Sequence, residues 1–217
     1  MRRFIRGLET INLDNIIRRQ LPSFFVLYQK LRLDFYIIYL GDFMCLTRPL
    51  SRKRIRWLAN NLIKAFNLQD EIYLPIVLIL EALEREGHFS LDRTAINEMP
   101  RAFGEYIPSE KILRIREDIY LDAADGDGFA RSTCAHELGH FIMGHGEEPI
   151  KFSRHANSTA IIKPYEDSEW QANAFAGELL VPKHLVDGLN PREVSEKCDV
   201  TRAMAKYQLY VYKREKF

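Results

Sequence analysis

Five residues, His136-Glu137-Leu138-Gly139-His140, constrain this chain more than any others. Two histidines four apart return to nearly the same direction on a helix of 3.6 residues per turn, so both imidazoles share one face. Such a pair can hold one Zn²⁺ ion. The intervening Glu137 then lies beside the metal, where it can take a proton from water. This is the layout of a zinc hydrolase, and it calls for a third protein ligand and an open fourth position.

The third ligand is not adjacent. The metzincin spacing needs a glycine at position 143 and a histidine at 146, where Met143 and Gly146 stand instead. His145 is one residue short of that spacing, and the inverted order of the motif fails too. A carboxylate from a later helix is the remaining common arrangement. The segment from Ser168 to Pro182 reads as that helix, with Ala172, Phe175, Ala176, Leu179 and Leu180 forming an apolar stripe. Pro182 stops it. It starts either at Ser168, with Gln171 completing a capping box, or with Pro164 as first helical residue. Glu169 sits near its N-terminal end, just off the stripe, and Glu166 lies one turn earlier.

The sequence HELGH, followed by Glu169 and the run Ala172-Asn173-Ala174-Phe175-Ala176-Gly177-Glu178-Leu179-Leu180-Val181-Pro182, resembles the ImmA/IrrE family of metallo-endopeptidases. The resemblance implies zinc ligands His136, His140 and Glu169, with Glu137 as catalytic base and Glu166 as the rival third ligand. Residues 99–106 and 111–115 are similar to the family's small sheet, and Gly128–Thr133 to its short helical run before the motif. Ser132 replaces a phenylalanine common in the family pattern. The resemblance covers about residues 54–210. Asn173, one turn after Glu169, is placed to orient a ligand histidine. Tyr165, His155 and His145 are candidates for a second donor to the oxyanion formed during hydrolysis.

Composition narrows the rest. With 31 Lys and Arg against 30 Asp and Glu, the net charge is +1, which gives no global case for binding nucleic acid or membrane. Three cysteines, Cys45, Cys134 and Cys198, are odd in number and widely spaced, as expected for reduced thiols in a cytoplasm. Cys134 reads as a small packing residue. The apolar stretch from Phe24 to Cys45 is broken by Lys30, Arg32, Asp34 and Asp42, so no membrane span is expected. The alternating carboxylates of Asp125-Gly126-Asp127-Gly128 form a turn, without the later Glu of a calcium loop. Arg48, Arg52, Lys53, Arg54 and Arg56 cluster at a helix start, where positive charge opposes the helix dipole. A solvated face is the favoured reading of that cluster, ahead of contact with DNA.

The expected organisation is an α+β, zincin-like catalytic domain over residues 51–186. Residues 1–50 precede it as an extension, and a helix pair over 187–217 packs on it. Helices are predicted over 51–67, 75–86, 129–144, 191–198 and 201–213, with short strands near 88–91, 101–107 and 111–116. Residues 1–43 resemble nothing in the family. They are either upstream sequence before a true start at Met44 or a helical extension packing on the domain. The connection from Glu147 to Tyr165 is long enough to border a substrate cleft. By resemblance, the substrate is a helix-turn-helix transcriptional repressor, cleaved in a mobile-element or stress-response switch. The alternative is a non-proteolytic regulatory, antitoxin or DNA-binding protein on the same fold.

Overall fold

The structure is a computed structural model that describes residues 47–146 and 163–215. Ile11–Gln20, Met44, Cys45 and His155 lie outside the described residues, as does most of the connection after Glu147. Among the described residues the chain is α+β, with seven α-helices and one three-stranded sheet. In chain order these are α1 (Arg52–Ala65), α2 (Ile76–Arg85), β1 (Ser90–Thr94), β2 (Gly104–Ile107), β3 (Ile112–Arg116), α3 (Glu117–Ala124), α4 (Gly128–Met143), α5 (Ser168–Leu180), α6 (Pro191–Cys198) and α7 (Arg202–Arg214).

The helices begin where side chains can meet the unpaired N–H groups of a first turn. Ser51 caps α1, Asp127 caps α4, Asn190 caps α6 and Thr201 caps α7. Helix α5 begins at Ser168, one of the two predicted starts, but without the predicted capping box. Its cap is Asp167, whose carboxylate accepts from the N–H groups of Glu169 and Trp170, while Pro164 opens a separate 3-10 turn, Pro164–Glu166. Asp125 and Asp127 of the acidic turn end α3 and cap α4 respectively.

The strands run in the order β1-β3-β2, with β1 parallel to β3 and β2 antiparallel to it. Tyr106 faces Leu113 across the β2–β3 pair. Only β3 is central, and its Leu113 and Ile115 are fully buried. Strand β2 is therefore an edge, and it passes close to α4.

The core is built around α4 and α5, which pack on each other. Helix α1 covers α5 from the other side, and α3 braces α4. Ile55, Leu62 and Phe66 from α1 and its end, Leu138 from α4 and Phe175 and Leu179 from α5 are sealed from water in one continuous cluster. Each such side chain contributes roughly 1.5–3 kcal/mol of burial. Cys134 and Cys198 are buried free thiols within it.

Two buried charges tie distant segments together. The Arg131 guanidinium is fully buried and donates to the carbonyls of Leu74 (2.8 Å), Asp199 (2.9 Å) and Cys198 (3.3 Å). It therefore holds α4 to the C-terminal end of α6, where carbonyls lack helical partners. Glu178 on α5 accepts from Arg52 (2.8 Å) and Arg56 (2.6 Å), and the Tyr212 hydroxyl lies 3.0 Å from it. The basic cluster is thus not simply a solvated face. Two of its arginines turn inward onto a carboxylate more than a hundred residues away.

Among the described residues no helix is long and apolar enough to cross a membrane.

Candidate metal centre

Helix α4 presents His136 and His140 one turn apart, with their ring centroids 4.8 Å apart. The two Nε2 atoms point at each other across 3.0 Å. Glu169, in the first turn of α5, brings one carboxylate oxygen to 3.2 Å from the His136 Nε2 and the other to 3.4 Å from the His140 Nε2. One ligand atom from each residue falls within 4.8 Å of the others. Two imidazole nitrogens and a carboxylate oxygen converging on one point form a donor set that suits zinc. Glu166 is engaged elsewhere, accepting weakly from the Lys163 N–H at 3.4 Å.

Close helix packing makes this convergence possible. A Cβ on Gly139 would stand 3.1 Å from the Phe175 ring and 3.4 Å from the Ala172 backbone. The missing side chain between the two histidines lets α5 approach and carry Glu169 to them.

Glu137, between the two histidines on α4, is largely buried against the start of β2. Burial pushes its carboxyl up to about 8, and the charges of Glu169 and Glu105 add to the effect. A cation held by the neighbouring ligands would oppose that rise. His140 is held neutral, its imidazole lowered to about 3 by burial and then by His145 and His136. A neutral imidazole is the form that binds metal.

Asn173 sits where its position suggested, with Oδ1 3.2 Å from the His136 Nδ1. The three candidate oxyanion donors fare differently. His145 is buried behind His140, their Nδ1 atoms 2.9 Å apart, and does not face the open side of the site. Tyr165 is exposed, with the Lys163 ammonium 5.7 Å from its ring. His155 is outside the described residues.

Gln171 was misread at the sequence level. It makes no capping box with Ser168 but is fully buried, 2.9 Å from the His145 Nε2. Its spacing of four from Phe175 put it on the apolar side of α5, and that was the available signal. Gly104, which touches the candidate base, carried no signal in the sequence.

A family model, Peptidase_M78, described as the IrrE N-terminal-like domain, matches residues 92–210 of the 217. The match runs from within β1 to within α7 and contains both α4 and α5. No curated protein and no solved structure matches the chain.

Proposed function

The chain belongs to the Peptidase_M78 family, a metallopeptidase family, and on that footing we propose that it is a zinc-dependent endopeptidase with a zincin-like catalytic core. One observation carries the proposal: His136, His140 and Glu169 converge beside a buried Glu137. His136, His140 and Glu169 would hold the ion in this reading. Bound zinc supplies Lewis acidity, acidifying water and polarising a peptide carbonyl. Glu137 takes one proton from the attacking water as its oxygen adds to the carbonyl carbon. When the C–N bond breaks, Glu137 returns that proton to the leaving amine. Asn173 keeps the His136 ring turned toward the ion.

The proposed substrate is a helix-turn-helix transcriptional repressor, cut at a defined site in a mobile-element or stress-response switch. Support for it comes from the family resemblance. A reducing cytoplasm suits the buried free thiols Cys134 and Cys198. Arg52 and Arg56 are paired with Glu178, which takes two arginines of the basic cluster out of the set open to DNA.

The test is incubation of the purified protein with a small repressor encoded beside its gene, read by mass spectrometry. Two defined fragments are expected. They disappear on chelation and in Glu137→Gln, which keeps its zinc but loses cleavage by at least roughly 10²-fold. An intact repressor in the presence of zinc-loaded wild type counts against the proposed substrate.

A further inference from the structure

Behind His140 runs a chain of hydrogen bonds whose direction can be read from one end. The Gln171 Nε2 lies 2.7 Å from the Arg48 carbonyl and 2.8 Å from the Tyr165 carbonyl. Carbonyl oxygens only accept, so both amide protons are used there and the amide has one possible orientation. Its Oε1 therefore faces His145, 2.9 Å from Nε2. That oxygen also only accepts, so the His145 Nε2 carries a proton. A neutral imidazole has a single N–H, which leaves the His145 Nδ1 as a bare lone pair. It lies 2.9 Å from the His140 Nδ1, which must then be the donor. The one nitrogen of His140 left without a proton is Nε2, the atom that meets His136 and Glu169. A separate and shorter route acts on the other histidine, through Asn173 Oδ1 at the His136 Nδ1.

Metal-binding histidines usually donate their second N–H to a carboxylate, a carbonyl or water. For His140 the acceptor is another imidazole, itself oriented by a buried amide. We propose that His145 and Gln171 are positioning residues that set the Nδ1–H tautomer of His140 and so present its Nε2 to the metal. This rests on the reading that His136, His140 and Glu169 hold zinc. The chain is enclosed: Gln171 is fully buried and His145 is 6% exposed. It ends on backbone carbonyls, one before α1 and one in the turn before α5, so its direction does not depend on a mobile side chain.

The test is made on the full chain with two readouts other than activity. In nitrogen-detected NMR of ¹⁵N-histidine protein, metal-free wild type should show His145 protonated at Nε2 and His140 at Nδ1. Zinc addition should then shift the His140 Nε2 and leave its Nδ1 protonated. A His145 protonated at Nδ1, or at both nitrogens, overturns the proposal. The second readout is zinc affinity by competition with a chelator. His145→Phe keeps the bulk and removes the acceptor, so the dissociation constant should rise roughly 10- to 100-fold, the usual scale for losing such a partner. Gln171→Leu should act in the same direction. His145→Gln restores an oxygen acceptor and should recover most of the affinity. Unchanged affinity in a folded His145→Phe overturns the proposal. If a variant does not fold, the wild-type spectrum still decides. Wild type that takes up no zinc, or keeps it fully in Glu169→Ala, counts against the metal reading instead, and the metal-free spectrum decides the tautomers separately.

Discussion

Gly104 at the start of β2 lies directly against Glu137 of α4: a Cβ on the glycine would stand 2.7 Å from the glutamate Cγ and 3.2 Å from its Cδ. Real Cβ atoms do not approach so closely, so one group would have to move. Ile115 blocks retreat on the glycine side, its Cδ1 3.1 Å from the same point. The edge strand thus leaves a gap for the proposed base.

Gly104→Ala should therefore displace the Glu137 carboxylate while leaving the metal ligands alone. Zinc content by elemental analysis is expected to stay at the wild-type level. Cleavage, measured as kcat/KM, should fall by roughly 10- to 100-fold, since displacements near 1 Å carry losses of that order. An alanine variant with wild-type activity would show that Glu137 has freedom to adjust.

Glu169 and Glu166 are separated by one stage of the fold: the first is in α5, the second in the turn before it. Glu169→Ala is expected to lose zinc, and Glu166→Ala to keep it. Metal-to-protein ratios after dialysis check both. Retention in the first and loss in the second would reverse the assignment of the third ligand.

Glu178 has no exposed side-chain surface and accepts from two arginines. Removing it strands positive charge against the core. Glu178→Ala should destabilise the protein by about 3 kcal/mol, toward the lower end of the range for breaking a buried pair, because the arginines retain some solvent contact. Urea unfolding monitored by circular dichroism measures it. A change within about 0.5 kcal/mol would mean that water replaces the carboxylate without loss.

His88, after α2, has its imidazole lowered by burial to about 4 from 6.5. The unfolded chain then takes up this proton first. Stability from the neutral ring is complete above about pH 6.5 and is lost as pH falls toward 4. His88→Gln should flatten that part of the stability profile in the metal-free protein. Chemical unfolding at several pH values between 4 and 7 checks this, and an unchanged slope would assign the loss to other groups.

Legibility differed between chemistry and packing. Helices α4 and α5 were readable because metal ligation demands particular residues at particular spacings, and the apolar stripe of α5 is buried as its period implied. Helices α1 and α7 begin within a residue of the predicted 51 and 201, where Ser51 and Thr201 cap them. Helix α3 was missed because β3 runs straight into it, with Arg116 ending the strand immediately before the helix and giving its first turn no side-chain cap. Only Glu117 and Asp118 in its first turn marked it. Strand β1 lies at Ser90–Thr94, later than expected, because its extent follows from pairing with β3. The inward turn of Arg52 and Arg56 and the route from Gln171 to His140 depend on contacts between residues far apart in sequence. Periodicity carries no trace of such contacts.

The carboxylate of Glu178 finds both of its arginine partners, and the Gln171 amide one of its two carbonyl acceptors, upstream of residue 92, where the family match begins. So does much of the apolar cover on α5, through Ile55, Leu62 and Phe66. The segment that carries the family's signature is therefore shorter than the segment that satisfies its own interior. A fragment cut at the boundaries of the match would contain both histidines, Glu137 and Glu169. It would also carry a stranded charge, an amide proton without its acceptor and a bare helix face, so the catalytic residues alone do not define a piece of chain able to stand by itself.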